Sequence, residues 1–226
     1  MKILIVSATQ LEIQLLLSEL GNGKELKSNF KRYDFNNHVV DILITGVGMV
    51  VTAFWTAKVI NSEKYDCAIN LGICGSFNRS IALGELLNIT SDCIPELGSE
   101  TADGFLSLAD MNLVSPDFFP FQGGKLINPK NHLFSLVDSL PEVNAVSVNT
   151  IHGESVQIGK FIKHSDADIE TMEGAAFFYA CFQEQLPCVQ LRAVSNYVEA
   201  RDTSKWDIKL AVAKLNQFVI EMLKKL

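Results

Sequence analysis

The stretch from Ile169 to Asn196 reads IETMEGAAFFYACFQEQLPCVQLRAVSN, and it decides the fold that we expect. A short apolar segment leads to Glu173, and a helix rich in small residues follows. The helix must end near Pro187, because proline interrupts helical hydrogen bonding. An apolar run from Cys188 to Val194 then ends in polar residues. Open α/β sheets bind ligands at the carboxyl ends of their strands, so Glu173 and Asn196 are the first candidates for chemistry.

Apolar segments of the same kind recur along the chain and alternate with helical periodicity. The alternation predicts an α/β fold in a single domain over residues 1–226, with a central mixed sheet flanked by helices on both faces. The expected strands are Lys2 to Ser7, Phe30 to Phe35, Val39 to Thr45, Asp66 to Leu71, Leu86 to Ile94 and Asn144 to Thr150. Besides the helix that ends near Pro187, we expect one helix after Thr9, one that ends at about Asn61, one over Gln157 to Lys163 and one over Trp206 to Leu226.

Composition excludes several classes of protein. The net charge of −7 and the lack of a Lys/Arg cluster argue against nucleic acid as a partner. No apolar run reaches the roughly 18 residues of a membrane span, and the apolar amino terminus is too short for a signal peptide. We therefore expect a cytoplasmic protein with no membrane contact.

The five cysteines predict buried, reduced thiols. Their number is odd and no CxxC spacing occurs, and the four histidines show no metal-ligand spacing. We expect neither a metal nor a cofactor.

Residues 95–124 contain three of the six prolines, four of the 14 glycines and three aspartates, residue types that interrupt regular secondary structure. This long excursion is a candidate for a lid or for an oligomer contact, and the sequence does not decide between them.

An early carboxylate, Glu12, has two interpretations. Thr9 and Glu12 have the spacing of a capping box, in which Glu12 supports the start of a helix. The other interpretation is catalytic, and it depends on the motifs that follow.

Taken in order, the residues at the ends of the expected strands resemble the nucleoside phosphorylase/nucleosidase family. The resemblance covers nearly the whole chain, and it is the ordered combination of motifs that is specific. The motifs are Glu12, Gly46-Val47-Gly48, the segment from Asn70 to Gly75, Met172-Glu173, and the segment from Arg192 to Asn196.

The resemblance implies a nucleoside phosphorylase-like fold, a small-molecule nucleoside substrate and a homo-oligomer, often a dimer whose subunits complete each other's sites. It also implies roles for individual residues. Glu12 would activate water, Met172 and Glu173 would bind the ribose, and Asn196 would assist the purine as the second catalytic residue. These types suit the chemistry, because breaking an N-glycosidic bond needs carboxylates for water and hydroxyls and a stabilised leaving group.

Five further positions complete the expected substrate-binding set. Ile151 falls at the base-binding strand end, and Arg192 either orients water or the Glu12 carboxylate or makes a structural ion pair. The remaining three lie in the matching motifs: Gly46, Gly72 and Ser195.

Asn196 is the departure that bears on the substrate. In the nucleosidases that act on methylthioadenosine an aspartate stands there, which suits the amino group of adenine. An asparagine offers an NH₂ donor that suits the O6 acceptor of a 6-oxopurine. Together with the residues that follow it, Asn196 resembles the futalosine hydrolase branch, which releases hypoxanthine on the route to menaquinone.

The first loop favours hydrolysis over phosphorolysis. It carries no arginine to hold a phosphate, and the nearby Glu12 would repel one. The alternatives are a methylthioadenosine/adenosylhomocysteine nucleosidase, a purine nucleoside phosphorylase and, more remotely, a non-catalytic nucleoside-binding protein.

Three side interpretations accompany this prediction. Glu170 is expected to be solvated or to cap a helix. His152 is either a ligand contact or a surface histidine. Arg201 is a weak candidate to meet the aromatic carboxylate on the 5′ side of futalosine.

Overall fold

One mixed sheet connects the segments that carry the candidate residues. The structure is a computed structural model, and it describes residues 1–102 and 104–226. In the described part of the chain, ten strands form this sheet in the order β11-β10-β6-β12-β5-β1-β4-β3-β2, with β9 paired to β6. The strands are β1 (Lys2–Ser7), β2 (Lys24–Lys27), β3 (Phe30–Phe35), β4 (His38–Ile44), β5 (Cys67–Ser76), β6 (Leu86–Cys93), β9 (Leu126–Ile127), β10 (Glu142–Ser147), β11 (Ile169–Thr171) and β12 (Cys188–Tyr197).

Helices cover both faces of the sheet. They are α1 (Gln14–Leu20), α2 (Met49–Ser62), α3 (Phe134–Val137), α4 (Ser155–Ile162), α5 (Gly174–Gln183) and α6 (Ile208–Lys225). Strand β1 shows why two layers form: Ile3 and Ile5 enter the core under α1 and α6, while Leu4 and Val6 enter the core under α2 and α5. The α/β fold with a central mixed sheet is confirmed.

The sheet closes on itself beside the candidate site. Strand β5 pairs in parallel with β1 and β12. The short strand β11 pairs in parallel with β10 on one side and antiparallel with β5 on the other. The strands β5, β12, β6, β10 and β11 therefore form a ring of neighbours. This closure brings distant segments of the chain to both sides of the carboxyl end of β5.

Several expected boundaries were wrong. Strand β5 continues past Leu71 to Ser76, because β12 and β11 supply hydrogen-bonding partners to its end. Strand β10 stops at Ser147 rather than Thr150. The run expected to end at Val194 continues as β12 to Tyr197.

Helix α6 lies within the expected range, Trp206 to Leu226, but its buried face differs from the apolar face that the sequence predicts, which includes Ala213 and Leu215. Ala213 is exposed, whereas Asn216 is 1% exposed and faces the core. Asn216 replaces an apolar contact with hydrogen bonds to α1 and to the turn before it.

In the sequence, Asn36-Asn37 predicts a turn between two paired strands, and Gly46 and Gly48 predict a tight turn from strand to helix; both turns are confirmed. Asn36 and Asn37 both have positive φ between β3 and β4, as a type I′ hairpin turn requires. Gly46 and Gly48 have φ of +88° and +103° at the turn from β4 to α2. Residues with a side chain rarely adopt such positive φ angles.

The excursion over residues 95–124 contains a separate hairpin of two strands, β7 (Gly98–Thr101) and β8 (Gly104–Ser107). It returns to the helical layer at Phe121, whose ring lies 6.1 Å from that of Tyr179 on α5. None of the helices described is long and apolar enough to cross a membrane.

Candidate active site

The predicted site residues lie around the carboxyl ends of neighbouring strands. Glu12 follows β1, Gly46 follows β4, and Glu173 follows β11. Gly72 and Arg192 lie side by side within β5 and β12, where they pair in register. The sheet therefore brings together positions as far apart in sequence as Glu12 and Arg192, which are 180 residues apart.

Glu12 is fixed in place by hydrogen bonds. It is 8% exposed and lies in a 3-10 turn, Leu11–Ile13, just before α1. Its Oε2 accepts the Thr9 N–H at 3.0 Å and the Thr9 Oγ1 hydroxyl at 2.9 Å, and its Oε1 accepts the Ile73 N–H at 3.1 Å. Half of the expected capping box is present, because Glu12 accepts from Thr9, but Thr9 donates its hydroxyl instead of accepting. Glu12 thus joins the first loop to β5.

Gly72 leaves room between Glu12 and Arg192. A Cβ at this glycine would lie 2.9 Å from Glu12 Oε1 and 3.1 Å from Arg192 Nη1. A carboxylate and a guanidinium therefore border the same small space. The position accepts no side chain unless one of these two groups moves.

Arg192 does not make the ion pair that was one of its expected roles. It is 1% exposed, its Nη1 donates to the Leu191 carbonyl at 3.2 Å, and its Nη2 donates to Asn70 Oδ1. Among the described residues, Arg192 forms no ion pair within 4.0 Å, and its Nε has no hydrogen-bond partner. Because an unpaired buried charge is costly, the orientation of this guanidinium toward the site points to function.

Glu173 is positioned by the glycine turn. It occupies the N-cap of α5, and its Oε1 accepts the Gly48 N–H at 2.9 Å. Burial raises the pKa of the Glu173 carboxyl above its ordinary value, and Arg192 and the Gly48 N–H oppose the rise. The Met172 main-chain N–H also stabilises the charged form of this carboxyl.

We expected Asn196 to follow the strand, but it lies within β12. The pairing of β12 with β5 shifts between Val194 and Asn196, which makes Ser195 a β-bulge. Ser195 Oγ donates to Asn196 Oδ1 at 2.8 Å, and Asn196 Nδ2 donates to the Tyr197 carbonyl at 3.1 Å. Bulges redirect side chains beside active sites, and this one orients the amide of a 9% exposed asparagine.

The expectation for Glu170 was wrong. Glu170 is 4% exposed and caps no helix. Its Oε2 lies 2.6 Å from His152 Nδ1, and both of its oxygens accept the His152 N–H at 3.2 Å. The apolar setting of β11 in the sequence gave no sign of this partner, which lies 18 residues upstream.

The remaining predicted positions surround these groups. Met172 is half-buried between β11 and α5, and Ile151 is half-buried in the loop after β10. The Gly46 N–H donates to the Ala8 carbonyl at 3.1 Å, which joins the loops after β4 and β1. Arg201 contacts Gly153 and stacks on Trp206, on the side of the Ile151 loop.

Sequence reasoning missed a buried polar network under α5. Ser147 Oγ donates to the Asp92 carboxylate and accepts the Ala175 N–H at 2.7 Å, and Gln190 donates to Asp92 at 3.2 Å. Burial raises the pKa of Asp92 to about 7 despite these hydrogen bonds. This network supports the turn that carries Glu173. In the described residues, no group of three or more His, Cys, Asp or Glu side chains is placed to hold a metal ion.

Comparisons with known proteins agree with this geometry. Residues 2–224 match the family profile described as "Phosphorylase superfamily". A futalosine hydrolase of Streptomyces coelicolor is 30% identical over 191 residues, which cover 79% of this chain and 76% of that protein. A 5′-methylthioadenosine/S-adenosylhomocysteine nucleosidase of Buchnera aphidicola is 27% identical over 231 residues, covering 98% and 89%.

Solved structures share the fold over the whole chain. The nucleosidase of Neisseria meningitidis in complex with methylthio-immucillin-A has a TM-score of 0.82 at 20% identity, covering 100% of this chain and 99% of that one. Futalosine hydrolase of Helicobacter pylori has a TM-score of 0.81 at 19% identity, covering 100% and 98%. The chain therefore belongs to the phosphorylase superfamily, as a nucleosidase of the group that holds the futalosine hydrolases and the methylthioadenosine/S-adenosylhomocysteine nucleosidases.

Proposed function

We propose that this nucleosidase is a futalosine hydrolase, which releases hypoxanthine and dehypoxanthine futalosine on the route to menaquinone. The observation that carries the proposal is the orientation of Asn196. Its Oδ1 lies 2.8 Å from the Ser195 hydroxyl, which is also 3.1 Å from the Cys74 carbonyl, and its Nδ2 lies 3.2 Å from where a Cβ of Gly75 would be. An NH₂ donor thus borders the position above Gly75, and a 6-oxopurine presents an acceptor at O6.

Glu12 is the proposed base that activates water. The space above Gly72 is bordered by Glu12 Oε1 and Arg192 Nη1, and a water there would be within reach of both groups. Glu12 takes a proton from this water, and the oxygen attacks C1′ of the ribose while the bond to N9 breaks. Arg192 orients the water.

Glu173 is the proposed ribose ligand. One of its oxygens is held by Gly48, and the carboxylate accepts from the 2′- and 3′-hydroxyls. Met172 precedes it and packs on the sugar. Asn196 has no acidic proton, so it stabilises the departing purine by hydrogen bonding, and the purine takes its proton from water.

The decisive experiment is a panel of nucleosides with and without phosphate. We expect hypoxanthine from futalosine at a rate that does not depend on phosphate, and little adenine from methylthioadenosine. Hypoxanthine release only when phosphate is present would contradict the assignment to hydrolysis. Substituting Glu12→Gln should lower kcat by roughly 10²–10⁴-fold.

Adenine release from methylthioadenosine is the second candidate activity. It is favoured by relatives of that name that align over 96–98% of this chain at 26–27% identity. Asn196→Asp separates the two candidates. If Asn196 reads O6, the aspartate should reduce the preference for the 6-oxopurine; unchanged selectivity would show that another group reads the base.

A second copy of the chain is the proposed partner. Helix α2 begins at the Gly48 turn that holds Glu173, and its outer face is apolar, with Val50 81% and Phe54 56% exposed. Burial of these side chains against another subunit would remove them from water. We expect a homo-oligomer in sedimentation analysis and dissociation by Phe54→Glu; a wild-type monomer at micromolar concentration would exclude the pairing.

A further inference from the structure

Glu170 and Asn196 border one recess in the sheet. Gly75 on β5 pairs in register with Glu170 on β11 and with Asn196 on β12. A Cβ on Gly75 would lie 3.0 Å from Val198 Cγ2, 3.2 Å from Asn196 Nδ2 and 3.4 Å from Glu170 Cγ, so the space is narrow and has one apolar side. The space above this glycine, which we term the Gly75 recess, therefore has the proposed O6 donor on one side and a buried carboxylate on the other.

Glu170, which borders this recess, fixes the position of His152. The carboxylate accepts from both the main-chain N–H and the ring Nδ1 of His152. No other basic side chain among the described residues lies within 4.0 Å of Glu170. The His152 ring packs on Phe161 at 4.5 Å between centroids, with Phe77 at 5.8 Å. An imidazole held on two sides in this way has one orientation.

The pairing also selects the tautomer of His152. An ionised carboxylate can only accept, so it favours the tautomer that carries hydrogen on Nδ1. The Nε2 atom then presents a lone pair. Among the residues that the structure describes, none makes a hydrogen bond to Nε2, and the His152 side chain is 18% exposed. The ring thus offers one acceptor that the fold itself does not use.

This acceptor distinguishes the two kinds of purine at N1. A 6-oxopurine carries hydrogen on N1, next to the O6 acceptor, whereas a 6-aminopurine has a lone pair at N1. We propose that His152 Nε2 accepts the N1–H of a 6-oxopurine and is a specificity-determining residue of the base pocket, with Glu170 as its positioning residue. The inference rests on the proposed function, because it assumes that Asn196 reads the adjacent O6.

The two groups divide the recognition between them. Asn196 Nδ2 supplies the donor that O6 needs, and His152 Nε2 supplies the acceptor that N1–H needs. A 6-aminopurine in the same position would face a donor with its amino group and an acceptor with N1. Both contacts would be mismatched, and each buried mismatch weakens binding.

The test compares futalosine with its 6-amino counterpart, which differs only at the purine. The measured quantity is the ratio of kcat/KM for the oxo form to kcat/KM for the amino form. We expect His152→Ala to lower this ratio roughly tenfold or more, because a buried N1–H is left without a partner. His152→Gln should restore part of it, since its amide oxygen can accept near the place of Nε2.

Two further variants complete the design. Glu170→Gln keeps the shape of the side chain but loses the charge that selects the tautomer, so the ratio should also fall while His152 remains. His132→Ala is the matched control, because His132 is exposed and far from the recess in sequence, and it should leave the ratio unchanged. Thermal unfolding of each variant separates misfolding from an altered site, and Glu170→Gln provides the test if His152→Ala does not fold.

A folded His152→Ala variant that keeps the wild-type ratio would overturn the inference, and so would an equal loss of rate for both nucleosides. Either result would show that the Glu170–His152 pair only holds the loop after β10 to the sheet. A wild-type enzyme that prefers the 6-amino nucleoside would instead overturn the proposed function. The two failures are therefore distinguishable.

Discussion

Gly72 is the residue at which Glu12 and Arg192 come nearest to each other. A methyl group there would lie about 3 Å from a carboxylate oxygen and from a guanidinium nitrogen. We expect Gly72→Ala to displace Glu12 from its position and to lower kcat at least tenfold, with a smaller change in KM. Steady-state kinetics and the circular dichroism of the folded variant would measure this.

Gly159 provides the matched control for that substitution. It is exposed within α4, and no atom lies within 4 Å of the position its Cβ would take. Gly159→Ala should leave kcat unchanged and stabilise the helix by roughly 0.5–1 kcal/mol. If Gly72→Ala were as active as Gly159→Ala, the space above Gly72 would have no part in catalysis.

The raised pKa of Glu173 predicts how binding depends on pH. The ribose hydroxyls need an ionised acceptor, and burial keeps this carboxyl protonated at a higher pH than an ordinary glutamate. Affinity for futalosine should therefore weaken as pH falls through the raised pKa of Glu173. Calorimetric titration from pH 8 to pH 5 in the Glu12→Gln background would show it without turnover.

Glu173→Gln is the comparison for this pH profile. It should bind weakly over the whole range, since no group at that position titrates. An affinity that stays constant from pH 8 to pH 5 in the protein that retains Glu173 would rule out an ionised ribose ligand there.

At the scale of elements, helix α6 holds the turn that carries Glu12. Asn216 Nδ2 donates to the Glu12 carbonyl at 2.7 Å, and Asn216 Oδ1 accepts the Leu16 N–H at 2.8 Å. Asn216→Ala would leave both main-chain groups buried without a partner. We expect it to lower the free energy of unfolding by about 1–3 kcal/mol and to reduce kcat more than KM.

Gln217 is the neighbouring control on the same helix. It is exposed, and its amide reaches only Glu221 at 3.4 Å. Gln217→Ala should change neither stability nor kcat appreciably. A loss of stability in Asn216→Ala with wild-type kcat would mean that α6 supports the fold but does not position Glu12.

At the scale of the whole molecule, Asp92 makes stability depend on pH. Its pKa is about 7 in the folded chain against an ordinary value of 3.8, so between about pH 4 and pH 7 the folded state binds more protons than the unfolded state. The free energy of unfolding therefore falls as pH rises through this window and levels off above it. The contribution is at most about 4 kcal/mol, at about 1.4 kcal/mol per pKa unit.

Urea unfolding at pH 5 and at pH 8 would measure this contribution. Asp92→Asn cannot ionise, so it should lose less stability than wild type between these two values. Asp34→Asn, at an exposed position on β3, should follow the wild-type profile. Parallel profiles for wild type and Asp92→Asn would show that Asp92 is not the titrating group.

Consecutive residues determined much of the architecture. The alternation of Ile3 and Ile5 with Leu4 and Val6 predicted a strand buried on both faces, and the Asn36-Asn37 dipeptide predicted a hairpin turn. Glycines at positive φ marked the turn after β4. These predictions succeeded because periodicity and turn conformation depend on neighbours in the chain.

Only the tertiary structure decided the other features, because they depend on contacts between segments that are distant in the sequence. The length of β5, the bulge at Ser195 and the pairing of Glu170 with His152 all depend on which strands become neighbours and in which register. Register is set by the packing of whole faces, so no local pattern reports it. The sequence by itself determined which residue types stand at the strand ends; only the closed sheet decided which of them face one another across Gly72 and Gly75.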